Sequence, residues 1–149
     1  AGDGVSVDAV IADFISGAAE WLSPANDDDH WDIMEGQGSL FHASFAGVST
    51  GLLHGSQPDA LVLCHEPTRT HMRGLPTYAL PDLESCLQQN ELVAQLTNPN
   101  ARTVGVAVNT SALDPDAAKA CLQEIEQRLG LPAVDPVRDG VVRIVDQLT

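Results

Sequence analysis

A chain of 149 residues has room for one hydrophobic core, and its 44% apolar content fits a globular fold better than a disordered one. A net charge of −14 argues against nucleic acid and anionic membrane as partners, and no apolar run nears the ~20 residues of a membrane span. The start carries no basic region of a signal peptide, and the three cysteines, Cys64, Cys86 and Cys121, read as reduced thiols, so the expected compartment is the cytoplasm.

In chain order, Val7, Val10, Ile11, Phe14, Ile15, Ala18, Trp21 and Leu22 recur at helical spacing and predict an amphipathic helix, with Asp3 or Ser6 near its N-cap. Pro24 and the polar run 26–30 end it. Residues 31–35 read as a short buried strand that delivers Glu35 into the turn Gly36, Gln37, Gly38, Ser39. Residues 47–55 read as a glycine-bracketed helix. A second strand at 61–64 leads to His65 and Glu66. Asp82 is placed to cap a helix reaching about Leu96, with Leu83, Leu87, Val93 and Leu96 inward. Residues 103–108 form a continuous apolar strand ending at Asn109. Asp114, Pro115 and Gly130 bracket the next helix in the usual order of cap, first-turn proline and terminal glycine. Ala133 and Val134 make a last strand ending at Asp135, and 140–148 a final helix. Strands that are unbroken apolar runs and alternate with helices predict an α/β three-layer sandwich with a mostly parallel sheet. Residues 67–81, with three prolines and a glycine, read as a long irregular loop.

In an open parallel sheet, ligands bind beyond the carboxyl ends of the strands. The four expected tips present Glu35 with Gly36, Gln37, Gly38 and Ser39; His65 and Glu66 with Arg69, His71 and Arg73; Asn109 with Thr110 and Ser111; and Asp135 with Pro136 and Arg138. Glu35 can hold a magnesium ion or act as a general base. His42, just after the Glu35 turn, and His65, at a tip, are the other acid–base candidates. Arg69 and Arg73 suit a carboxylate or a phosphate, which guanidinium binds bidentately, although each alone also suits a solvated surface. Asn109 can read a base through paired hydrogen bonds, or serve only as a turn residue. Asp135 and Arg138 are candidate cofactor contacts, and Glu66 joins the substrate candidates. The five histidines fall in no zinc-ligand pattern. No G-x-x-x-x-G-K-[ST] occurs, and the one lysine, Lys119, lies in a predicted helix.

The stretches VSVDAVIADFISGAAEWLSP, HWDIMEGQGSLFHASFAGVSTGLLHGSQPDALVLCHEPTRTHMRG, VGVAVNTSAL and GLPAVDPVRDG together resemble the C-terminal domain of the bacterial D-glutamate N-acetyltransferase family, long catalogued as a domain of unknown function. That resemblance implies a P-loop NTPase-like domain following a Rossmann-like one. The 149 residues would then be part of a single C-terminal domain, with the phosphate loop and the Rossmann-like portion upstream of Ala1. It implies acetyl transfer from acetyl-CoA to the amino group of D-glutamate. More distantly, Glu35-Gly36-Gln37-Gly38 and Asn109 are similar to the Glu-Gly-x-Gly turn and strand-end Asn of dethiobiotin synthetase-like enzymes. That likeness implies Glu35 as a metal or base position and Asn109 as an adenine contact. The alternatives are an ATP- and magnesium-dependent ligase or kinase, and a non-catalytic nucleotide-binding module. The expected partners are small molecules, the upstream portion of the same protein, and a second subunit, since an incomplete sheet leaves an edge to be covered.

Overall fold

The computed structural model describes residues 4–148, which fall into two compact units: Ala1–Asp59 with Gln89–Ala101, and Ala60–Gln88 with Arg102–Thr149. Asp3 lies outside the described residues.

The first unit is helical. The helix expected over 7–22 is instead two 3-10 turns, Val7–Ala9 and Ala12–Phe14, followed by α1, Ile15–Leu22. The break falls at Val10 and Ile11, whose ψ of 137° is that of extended backbone; adjacent β-branched residues favour that conformation. Ser6 precedes the first turn but makes no side-chain cap bond. Helix α2, Ala46–Ser56, matches the glycine-bracketed expectation and packs against α1. Its glycines explain how closely. A Cβ on Gly51 would sit 2.5 Å from Ile15 Cγ2, and one on Gly55 would run into the Ser16 carbonyl and lie 2.7 Å from Ala19 Cβ. Gly51 and Gly55, four apart on one helix face, thus let the α1 backbone approach. Beyond α2, Gln57 takes a left-handed φ of 47°, and Asn98 Nδ2 closes the turn by donating to Gln57 O, Pro58 O and Asp59 Oδ1.

Residues 31–35 are not a strand. Ile33 is 92% exposed, and the segment pairs with no ladder. Its anchorage is polar: Asp32 Oδ2 accepts from Ser23 Oγ at 2.5 Å, and Asp32 Oδ1 lies 3.1 Å from His30 Nε2. A strand needs a neighbouring ladder to satisfy its backbone, and the described part of this unit contains no strand at all.

The second unit carries a parallel sheet of β1 (Ala60–His65), β2 (Arg102–Val108) and β3 (Ala133–Val134), with β2 central. At Leu61 and Val62 the β1–β2 register shifts by one, leaving Val104 without an opposing residue. A bulge of this kind turns consecutive side chains to one face. Val104 accordingly packs with Val134 and Ile144, and a Cβ on the next residue, Gly105, would also meet Ile144, at 2.7 Å. The opposite face buries Val106, Val108 and Ala133 against Leu83, Ile125, Cys121 and Leu122. These faces make three layers. On one side lie the start of α3 (Leu83–Ala94) and α4 (Pro115–Leu129); on the other lies the short α5 (Val142–Val145). The fold is α/β with a parallel sheet.

The helix ends follow their sequence signals. Asp114 Oδ1 accepts from the amides of Asp116 and Ala117, Pro115 occupies the first turn, and Gly130 caps at φ 67°. Asp82 Oδ1 accepts from Ser85 N at 2.7 Å. α3 stops at Ala94, and Leu96, expected inward, is 74% exposed. α5 is shorter than 140–148, although turn hydrogen bonds continue to Leu148. The segment 67–81 is not irregular throughout. It holds an antiparallel hairpin, His71–Met72 with Leu75–Ala79, turning at Arg73 and Gly74, where Gly74 adopts a φ of 75°. Pro76 is tolerated because a two-stranded hairpin has only one ladder to feed.

Candidate functional site

Because β1, β2 and β3 are parallel, their carboxyl ends share one edge, and the residues after them converge there. Three strands contribute, where four were expected. Glu35 stands in the exposed segment of the first unit and not at a strand tip.

At the β1 tip, His65 is half-buried, and its main-chain oxygen accepts from Asn109 N at 2.8 Å, which keeps the ends of β1 and β2 side by side. Burial, above all, pushes the His65 imidazole below its usual value. Arg128 and Arg69 add to that, while Glu66 opposes it. A neutral imidazole at neutral pH is the form that accepts a proton. Glu66 is bound into its own turn. Its Oε1 accepts from Thr68 N at 2.9 Å and from the Thr68 hydroxyl, and Arg69 Nε lies 3.5 Å from its Oε2. The Thr68 hydroxyl is the main cause of the lowered Glu66 pKa. Arg69 and Arg73 are exposed, Arg73 in the hairpin turn; His71 Nδ1 lies 2.9 Å from Met72 O. Beside His65 opens a cleft of about 340 Å³, walled by Pro67, Pro81, Leu83, Cys121 and Ile125, with Asp82, Glu124 and Arg128 at its rim. Arg128 is held there by Glu84, through bonds of 3.0 and 2.7 Å.

At the β2 and β3 tips the polar groups face each other. Asp135, 3% exposed, receives Thr110 N at 3.1 Å and the Thr110 hydroxyl on Oδ2, and Val137 N and Arg138 N at 2.9 and 3.2 Å on Oδ1. Those donors, the Thr110 hydroxyl first, hold its carboxyl down at about 2. Arg138 reaches back to Thr110 O at 3.1 Å and Leu113 O at 2.9 Å. Both residues proposed from sequence as cofactor contacts are therefore occupied with the protein's own backbone. Thr110, expected from sequence only as one of the polar residues after the third strand, is fully buried and serves as the partner of Asp135. Asn109 is exposed, and its Oδ1 accepts from Ser111 N at 3.1 Å.

In the first unit, Glu35, Gly36, Gln37 and Gly38 are exposed, and Gly38 packs close to Phe45. Ser39 Oγ accepts from Phe41 N. His42 is buried at the entry to α2, its Nδ1 accepting from Ser44 N at 3.1 Å and its ring 4.5 Å from that of Phe45. Among the described residues no three His, Cys, Asp or Glu side chains converge as a metal set. A magnesium ion at Glu35 would need its other ligands from outside the described residues, which do not by themselves make its site. No helix is long and apolar enough to cross a membrane, among the described residues.

A family model described as "Domain of unknown function (DUF1611_C) P-loop domain" matches residues 1–145. The chain is 59% identical over 147 residues to a D-glutamate N-acetyltransferase of Tritonibacter scottomollicae, and 56% identical to one of a Pseudoalteromonas species. In each case 99% of this chain covers 44% of the relative. The crystal structure of a DUF1611 family protein from Anabaena variabilis is similar with a TM-score of 0.87 and 37% identity, over 99% of this chain and 43% of that one. The chain thus spans less than half the length of the relatives it matches.

Proposed function

The chain belongs to the DUF1611 family, and we propose that it is part of a longer enzyme that moves the acetyl group of acetyl-CoA to the amino group of D-glutamate. The observation that carries this reading is the shared strand edge: a half-buried His65 kept neutral, Arg69 in the next turn and the exposed amide of Asn109, in a chain whose curated relatives bear that name. On this reading, residues 1–149 belong to a C-terminal domain accompanied by a Rossmann-like one. A further segment or a second subunit covers the open edge at β1, and the enzyme works in the cytoplasm.

The chemistry needs a base, an oxyanion site and a cation for the substrate carboxylates. The base removes a proton from the ammonium of D-glutamate. The freed nitrogen attacks the thioester carbonyl, the new C–N bond forms, and the C–S bond breaks. CoA leaves as thiolate and takes up a proton; the second ammonium proton is released to solvent. His65 fits the base, being neutral, half-buried and beside a cleft. Glu35 and His42 are the other candidates, from the first unit. The backbone amides of Gly36, Gln37, Gly38 and Ser39 are candidate oxyanion donors. Arg69 and Arg73 are assigned to the substrate carboxylates, with Glu66 orienting Arg69, and Asn109 to the adenine of the donor. No step here uses magnesium.

A thiol-release assay on the full-length protein tests this. CoA release from acetyl-CoA that depends on D-glutamate, and not on L-glutamate, is expected; no release with either overturns it. The P-loop description of the family favours a second reading, an ATP-dependent ligase or kinase, which release of ADP on adding magnesium and candidate acids would support. Replacing His65, Glu35, Arg69 and Arg73 singly sorts the roles. Loss of the base should lower kcat, and loss of either arginine should raise the KM for D-glutamate.

A further inference from the structure

We infer that the cleft beside His65 holds the uncharged, amide-bearing pantetheine arm of the acetyl donor, while D-glutamate reaches His65 from outside that cleft. The inference rests on the acetyl-transfer reading above and says which of the two substrates this cleft takes.

The walls come first. The cleft lies within the sheet unit, between the β1 tip, the start of α3 and the second half of α4. Its volume of about 340 Å³ is at the low end for ligand clefts, enough for an arm of CoA and not for the nucleotide as well. The surface is mostly hydrocarbon. Pro67 and Pro81 have no N–H to donate, and Leu83, Cys121 and Ile125 supply apolar side chains. Leu83 and Ile125 belong to the packed core, and Arg128 on α4 donates to Glu84 on α3. The two helical walls are therefore tied to each other, and the cleft is formed without a ligand.

Charge then separates the two substrates. Arg128 is the one Lys or Arg in the lining, and it is already engaged. Both Glu84 oxygens accept from its guanidinium, and Glu124 Oε1 lies 3.6 Å from its Nη1. Asp82 is kept ionised by the amide and hydroxyl of Ser85. With Asp82 and Glu124 against one paired arginine, the rim is net negative. A dicarboxylate or a phosphate would lose water there and meet like charge, with no unpaired cation to receive it. An uncharged chain carries no such penalty and gains from the apolar walls. Arg69, assigned to the substrate carboxylates, lies outside the lining. His65 is in the wall and also at the strand tip, so it can meet a thioester from the cleft and an amine from the edge. Burial first, and Glu124 second, push the Cys121 thiol above its usual value. The thiolate is the nucleophilic form, so Cys121 is read as wall and not as an acyl carrier.

The test uses the full-length protein, with Cys121 as reporter. Its alkylation is followed by peptide mass spectrometry, and Cys86, half-buried on α3 outside the lining, is the internal reference. Acetyl-CoA has no free thiol. At about ten times its Kd it should slow Cys121 alkylation about tenfold relative to Cys86. D-glutamate, and 3′-phospho-ADP as the nucleotide half of the donor, should change it by less than about twofold. Cys121→Leu, which narrows the cleft, should raise the Kd for acetyl-CoA about tenfold by calorimetry and leave the KM for D-glutamate within about twofold. If that variant does not fold, protection of the wild type decides alone. Acetyl-CoA that binds yet leaves Cys121 as reactive as before overturns the inference. So does protection by D-glutamate or by 3′-phospho-ADP equal to that by acetyl-CoA. Protection by acetyl-CoA in a protein that transfers nothing to D-glutamate supports the cleft assignment and overturns the enzyme reading alone. A protein that binds no acetyl-CoA overturns both.

Discussion

The two units hold their candidate residues in opposite ways. In the sheet unit, the side chains of Glu66, Asn109 and Asp135 are fixed by hydrogen bonds from neighbouring backbone, and His65 is held at its strand end through its main-chain oxygen. In the helical unit, the helices are locked by close packing at Gly51 and Gly55, yet Glu35 and Gly36 lie in an exposed segment with no ladder. Rigidity of an element therefore says little about order at the candidate groups beside it. The sheet unit's groups are preorganised by the chain itself. Glu35 has no such fixing within its own segment, so its proposed role is judged by activity of the full-length protein.

The largest way to break that contrast is Asp135→Ala. It strips the acceptor from four donors, two of them the buried amide and hydroxyl of Thr110, and should cost roughly 3 kcal/mol, read as a fall in the thermal midpoint. A loss below ~1 kcal/mol would mean the tips are not held as argued. Gly55→Ala strikes the other unit. Its Cβ meets the Ser16 carbonyl and Ala19, an overpacking cost of about 3 kcal/mol against a gain of about 1 kcal/mol in helix propensity. A net loss of about 2 kcal/mol is expected, seen first as faster amide exchange in α1 and α2. Asp114→Ala, which removes an ordinary N-cap, should cost only about 1 kcal/mol.

The scale of those effects tracks what the sequence made legible. β1, β2, β3 and α4 were readable because each is specified locally, by a continuous apolar run or by the Asp114, Pro115 and Gly130 signals. Their common edge followed from the parallel arrangement. Residues 31–35 misled because a Trp-Asp-Ile-Met run is apolar enough for a strand, whereas a strand exists only with a ladder beside it, and ladders are not written in the segment. The hairpin in 67–81 was hidden by its prolines. The role of Thr110 was invisible because it depends on Asp135, twenty-five residues on in sequence, folding back to it. The α1–α2 contact was half visible: the glycines were noticed as brackets, but their function is to admit Ser16 and Ile15.

A further effect appears only in acid. The Asp135 carboxyl titrates at about 2 in the folded protein, against an ordinary value of 3.8. A depressed carboxylate contributes stability that is complete above its unfolded value and is lost as pH falls through the folded one. The thermal midpoint should therefore decline between pH 3.8 and about 2 more steeply in the wild type than in Asp135→Asn, which has no carboxyl to titrate. Asp32 in the helical unit is also lowered, first by its hydrogen bond from Ser23, but it is exposed, and solvent takes over when that bond is lost. Asp32→Asn should leave the acid limb as it is. If instead Asp32→Asn flattens the limb and Asp135→Asn does not, the carboxylate that matters is in the helical unit, and the contrast between a tied sheet edge and a loose segment is wrong.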